Sequence, residues 1–214
     1  MDQNEEKTTA PGDNPETDAP VGENEEKKFD LLSEIFDVVE IFAVAVAFTF
    51  LCFNFVFRVA MVDGSSMNQT LIDRERVLVW ELGYQPKTGD IVVCQSERYG
   101  YETPLVKRVI ATGGQTVSID FENWKVTVDG KTLDEPYVYH KNNRSMDTED
   151  YYAQYTLDEN GAFTVPAGKV FVLGDNRNGS SDSRYGGIGL IDEQLVTGHV
   201  IFRILPFDKI GAVS

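Results

Sequence analysis

Apolar residues in this chain fall into one long unbroken block followed by many short ones, and the two patterns ask for different structures. From Ile41 to Phe57 the sequence runs IFAVAVAFTFLCFNFVF, interrupted only by Thr49 and Asn54. Continued through Arg58 to Val62, with the Arg58 head snorkelling, it reaches the ~20 residues that cross a bilayer core. Upstream, Phe36, Val38 and Val39 extend it past Asp37 and Glu40, which would lie near the interface. The helix of a soluble domain keeps a polar face, and this run is apolar all round. A cleaved secretory signal opens on a short basic region, whereas a long acidic one precedes this block. The pattern predicts a single uncleaved membrane helix with its flanks over residues 31–62.

Beyond Val62 the apolar runs shorten to strand length. ERVLVWEL predicts a strand from Arg76 to Leu82, and IVVC after Gly89-Asp90 a short buried one. PLVKRVIAT predicts a third, ended by Gly113-Gly114. TVSIDF and WKVTVDGKTL follow, the second with Asp129-Gly130, a pair that tolerates positive φ and marks a tight hairpin. Residues from Tyr137 to Gly161 are polar and Tyr-rich and predict a loop or insertion with short helical turns. FTVPAGKVFVLGDN resumes strand patterning, and HVIFRILPF predicts a last strand ending at Pro206. Short strands with turn signals between them, and no helical crossovers, predict a mostly β, antiparallel domain over residues 63–214.

Composition changes this picture at one end. The 214 residues carry a formal net charge of −16, which excludes a basic nucleic-acid-binding surface. Ten acidic residues fall within the first thirty, against Lys7, Lys27 and Lys28, together with Pro11, Pro15 and Pro20. Residues 1–30 have little to bury and predict a disordered acidic tail. Lys27 and Lys28 before the span and Arg58 after it favour a cytoplasmic N-terminus and an extracytoplasmic β domain. The two cysteines, Cys52 and Cys94, form no disulfide framework or zinc pattern, and His140 and His199 sit in no motif.

Three separated segments carry candidate chemistry. MVDGSSMNQTL (Met61 to Leu71) offers hydroxyls beside Gly64, whose backbone freedom suits a nucleophile lying close to an oxyanion-binding amide. In LVKRVIATGG, strand alternation puts Lys107 and Val109 on one face and Arg108 on the other. A lysine held against apolar surface has its charged form disfavoured and can accept a proton. GDNRNGSSDSRYGG (Gly174 to Gly187) is dense in Asp, Asn, Arg and Ser and suits a hydrogen-bonded scaffold.

Taken in this order behind a membrane span, the segments resemble the type I signal peptidases, membrane-bound bacterial proteases that remove signal peptides from exported proteins. The resemblance covers the span and essentially all of Asp63 to Ser214. GSSMNQTL is similar to the nucleophile box and KRVIATGGQ to the lysine box. GDNRNGSSDSR resembles the last box, and GDIVV a structural box between them. The resemblance implies Ser66 as nucleophile, Lys107 as general base and Ser180 as the hydroxyl that orients the lysine. It implies Asp175 with Arg108, and Asp182 with Arg184, as the scaffold of the loop.

Three departures accompany it. Gln69 stands where the family has proline, ATGGQ replaces Gly-x-Pro-Gly-Asp, and Gly64 occupies a position where one branch has an oxyanion-binding serine. The implied protein is a cell-membrane, single-pass serine endopeptidase that acts as a monomer on secretory preproteins with small residues before the cut. It needs no cofactor or metal. Its active site is expected close to the outer membrane surface, since Ser66 follows Val62 by four residues. A membrane-tethered, catalytically inactive β-domain serving as a binding module is the reading from another class. A soluble self-cleaving Ser–Lys repressor lacks the span and the acidic tail found here.

Overall fold

The computed structural model describes residues 23–96, 98, 104–140, 144–148 and 150–213. Most of the acidic tail, residues 1–22, lies outside the described residues, so its expected disorder is not addressed. The chain divides into two compact units, Met1–Phe48 and Thr49–Ser214.

Helix α1 runs from Glu23 to Phe55, so Glu23–Asp30 are helical where a disordered tail was expected. Its stretch Leu31–Phe55 is long and apolar enough to cross a membrane, and large side chains such as Phe36, Phe42 and Phe48 are exposed. The helix stops at Phe55. The residues expected to complete the span instead form strand β1, Phe57–Met61, paired antiparallel with β2, Arg76–Trp80. Arg58 does not snorkel from a helix but pairs with Glu81 at 3.0 Å.

The remaining strands are β3 (Ile91–Cys94), β4 (Leu105–Thr112), β5 (Thr116–Asp120), β6 (Lys125–Val128) and β7 (Lys131–Thr132). After the short helix α2 (Tyr151–Gln154) come β8 (Ala162–Thr164), β9 (Lys169–Leu173), β10 (Ile191–Asp192), β11 (Val196–Leu205) and β12 (Gly211–Ala212). One sheet has the order β1-β2-β11-β3-β4-β9-β10, with β12 added against β11; the other has the order β7-β6-β5-β8. Every described pairing is antiparallel, as the mostly β expectation required. The β6–β7 hairpin turns on Asp129 and Gly130, both at positive φ (50° and 76°). β12 lies beyond the Pro206 stop that the sequence suggested.

β4 is the strand that positions the site. It pairs with β3 on one side and β9 on the other, and its alternation sends Val106 into the cluster of Val62, Met67, Leu71, Val77 and Val93. Val109 enters the cluster of Val92, Cys94, Val170 and Val172. At its end Gly113 passes so close to the 166–168 turn that a Cβ there would lie 2.9 Å from the Ala167 Cα. The chain then enters the second sheet. Between the sheets lies an aromatic cluster in which Tyr151 is buried and Tyr155 stacks on Phe163 at 4.1 Å. The Tyr-rich stretch is a loop with one short helix, as expected, and it contributes Tyr151 and Tyr155 to this core.

Candidate active site

The Met61–Leu71 segment is held as a loop by its own apolar anchors. Met67 and Leu71 are fully buried one helical turn apart, with the Leu71 N–H donating to the Met67 carbonyl at 2.8 Å. The loop is closed at its base by two backbone bonds, Val62 N–H to the Glu75 carbonyl and Arg74 N–H to the Val62 carbonyl. Gly64 takes φ +89°, and its N–H donates to Asp73 Oδ1 at 2.8 Å. Ser66 is thereby presented at a half-buried position.

Lys107 reaches it from the middle of β4. Its Nζ and the Ser66 Oγ are hydrogen-bonded at 2.7 Å, across 41 residues of sequence. The lysine is 3% exposed, and no carboxylate forms an ion pair with it among the described residues. Burial holds its pKa below the ordinary lysine value, opposed by the field of Asp182 and assisted by that of Arg184. Cys94 also lies within its field, a fully buried thiol pushed up to about 12 by the same desolvation.

The Gly174–Gly187 loop closes over the pair. Gly174 leaves room for both: a Cβ there would stand 2.2 Å from Ser180 Oγ and 2.5 Å from the Ser66 carbonyl oxygen. Asp175 is completely buried and takes Arg108 in a two-point grip, Nε to Oδ1 at 2.9 Å and Nη2 to Oδ2 at 2.8 Å. Thr70 Oγ1 donates to the same Oδ2, tying the nucleophile loop to this carboxylate. The Arg108 guanidinium also lies 3.7 Å over the Tyr137 ring and donates to the Gly89 carbonyl at 2.8 Å. Asp182 is gripped in turn by Arg184, Nε to Oδ1 at 2.8 Å and Nη2 to Oδ2 at 2.9 Å, and accepts the Gly174 N–H at 3.0 Å. Burial alone would raise the Asp182 pKa; Arg184 and the hydrogen bonds outweigh it and hold the carboxyl below its ordinary value.

All seven residues singled out in the sequence thus gather at one place, but one expected contact is not formed. Ser180 is buried, and its Oγ meets no partner in good hydrogen-bond geometry, Lys107 included, although it lies near enough to favour the Asp182 charge. Six residues escaped the sequence reading. Thr70 and Asn176 join the nucleophile loop to the Gly174–Gly187 loop; Arg177 pairs with Glu135, and Glu75 accepts from Arg203 at 2.8 Å. Arg177 and Asn176 stand inside the last box, and density of polar residues in a short loop was the signal available.

Beside the lysine strand a cleft of about 240 Å³ is lined by Ala60, Met61, Asp63, Val79, Val93 and Val106 among others. A larger cavity of about 380 Å³, lined by Arg98, Phe163 and Leu190 among others, includes neither Ser66 nor Lys107. Neither cavity is lined by Ser66 or Lys107, and we assign neither a part in the site. In chemical terms, the arrangement is a hydroxyl beside a buried amine whose charged form is disfavoured, with two buried ion pairs behind it. It is equipped for nucleophilic attack on a carbonyl without a metal ligand set, and no group of three or more His, Cys, Asp or Glu residues fit to hold a metal occurs among the described residues.

Comparison with known proteins gives a consistent relationship. A family model described as signal peptidase, peptidase S26, matches residues 35–205. The signal peptidase I of Bacillus amyloliquefaciens is 36% identical over 190 residues, covering 87% of this chain and 97% of that protein. The signal peptidase IB of Staphylococcus aureus (strain COL) is 36% identical over 183 residues, covering 82% and 92%. A crystal structure of a signal peptidase I from Enterococcus faecalis V583 aligns with TM-score 0.39 and 29% identity, covering 55% of this chain and 97% of that one.

Proposed function

This chain belongs to the signal peptidase family, peptidase S26, and from that premise we propose that it is a membrane-bound serine endopeptidase removing signal peptides from exported preproteins. Ser66 is its nucleophile and Lys107 its general base. The observation that carries this reading is the 2.7 Å contact between Ser66 Oγ and a lysine buried without a counter-ion.

The steps follow from that contact. Neutral Lys107 accepts the Ser66 hydroxyl proton as Oγ attacks the scissile carbonyl, and the developing oxyanion faces the Ser66 N–H. The lysine ammonium returns the proton to the departing amine of the mature protein, leaving the signal peptide esterified to Ser66. Lys107 then takes a proton from water, whose hydroxide attacks the ester carbonyl; the ammonium returns that proton to Ser66 Oγ as the C–O bond breaks and the signal peptide leaves with a new carboxyl terminus. The Arg108–Asp175 and Arg184–Asp182 pairs act as scaffold, and Ser180 as the hydroxyl that orients the lysine once substrate fills the cleft. The enzyme works as a monomer without a cofactor.

Leu31–Phe55 serves as its single membrane anchor, at ~1.5 Å per residue long enough for a ~30 Å hydrocarbon core. The N-terminal tail lies in the cytoplasm and the β domain, residues 63–214, outside. Substrates carry small side chains at the first and third positions before the cut. The test is cleavage of an Ala-x-Ala preprotein in detergent or liposomes by wild type, Ser66→Ala and Lys107→Ala. Wild type cleaves and both variants are inactive while still folded; turnover by either variant rejects the dyad.

A further inference from the structure

The geometry points to Asn176 as the residue that positions and polarises the Ser66 N–H, the amide that must face the oxyanion; this rests on the Ser66–Lys107 reading. Gly64 supplies no side-chain donor, and its own N–H is occupied by Asp73 Oδ1 at 2.8 Å. The Ser66 N–H, by contrast, has no hydrogen-bond acceptor among the described residues. It is free for a substrate carbonyl, and a lone donor is useful only if its direction is fixed.

Asn176 fixes it from the other side of the peptide plane. Its Nδ2 donates to the Ser65 carbonyl at 3.0 Å, and its backbone N–H donates to the Ser66 carbonyl at 3.0 Å. One residue therefore holds the carbonyls on both sides of the nucleophile. The Ser65–Ser66 peptide is trans, so its C=O and N–H point in opposite directions within a rigid plane. Anchoring the Ser65 oxygen sets the direction of the Ser66 N–H. It also draws electron density toward that oxygen, which makes the N–H of the same peptide a stronger donor.

The asparagine itself cannot turn aside. It is 6% exposed, and Gly179 lies so close that a Cβ there would stand 2.4 Å from Asn176 Nδ2. The donor end of the amide must face the Ser65 carbonyl, which leaves Oδ1 buried without a partner. An unsatisfied buried oxygen is costly, and a side chain kept only for stability would not need one.

The test compares wild type with Asn176→Asp, an isosteric change that removes the donor and sets a carboxylate against the Ser65 oxygen. Three quantities are measured: kcat and KM on an Ala-x-Ala preprotein, affinity for a peptide aldehyde that forms a tetrahedral adduct with Ser66, and affinity for the reduced-amide peptide of the same sequence. Losing a whole oxyanion donor costs about 10²–10³ in rate, and misdirecting one is expected to cost about ten- to a hundredfold. Expected is a loss of that size in kcat and in aldehyde affinity, with KM and reduced-amide affinity unchanged. Wild-type kcat, or equal weakening of both peptides, overturns the inference. Should Asn176→Asp fail to fold, Asn176→Ser decides by the same comparison; failure of both to fold marks Asn176 as structural and also overturns it. Ser66→Ala is run alongside. Cleavage by that variant, or none by wild type, would reject the dyad instead.

Discussion

Lys107 and Arg108 are neighbours on one strand and equally buried, at 3% and 2% exposure, yet only the arginine is given a carboxylate in contact. Arg108 keeps its charge in the two-point grip of Asp175. Lys107 faces a hydroxyl, and burial favours its neutral form. Strand alternation separates the two, so one stretch of backbone delivers a paired cation and an unpaired buried amine to different surroundings.

The first consequence is a pH profile. The base must be neutral, so kcat/KM rises with pH through the Lys107 pKa and then levels. Since burial lowers that pKa, the rise falls below the ordinary lysine value of about 10.4. A preprotein titration that placed the limb at the ordinary value would contradict the assignment.

The same burial makes Lys107 a stability liability with a defined sign. Its folded pKa lies below its unfolded one, so between the two the unfolded chain binds more protons and stability rises with pH. Below the folded pKa the penalty is present in full, at about 1.4 kcal/mol per unit of lowering. Lys107→Met should therefore unfold at higher urea than wild type at acid pH, with the gap closing as pH approaches about 10.4. A gap independent of pH would refute this.

Removing the counter-ion of Arg108 tests the scaffold. Asp175→Ala leaves a guanidinium buried and uncompensated, a loss of about 3–5 kcal/mol in denaturant unfolding. The double variant Arg108→Met with Asp175→Ala should recover part of it, because neither buried charge is then left alone. An additive double variant would mean that the pair is not coupled.

Gly174→Ala probes the close approach of the two loops. The added methyl meets backbone at the Ser66 carbonyl, which can yield only by moving the nucleophile. A displacement of about 1 Å can lower turnover by about 10²-fold. Expected is a large fall in kcat with the folded domain retained by circular dichroism; a fully active variant would show that the loops can part harmlessly.

Much of this was legible because strands with simple burial read simply. IVVC and KVFVL became β3 and β9, and Asp129-Gly130 turned the hairpin. Arg58–Val62 continues the apolar run and so reads as membrane helix; what distinguishes it is pairing with β2, 15 to 23 residues away and invisible to local pattern. The loop with its short helix was legible, but the burial of Tyr151 and Tyr155 was not, because their partners Phe163 and Phe171 come from later strands. The Ser66–Lys107 contact was legible through its motifs, whereas the Thr70 and Asn176 contacts arise where segments over a hundred residues apart meet.

That meeting of distant segments makes proteolytic activity a late event in the life of the polypeptide. The charged form of the amine is disfavoured only when walls from separate stretches of chain close around it, and in water the same lysine is an ordinary cation. A nascent or half-folded copy is therefore inert toward itself and its neighbours. Competence to cut arrives together with the completed fold.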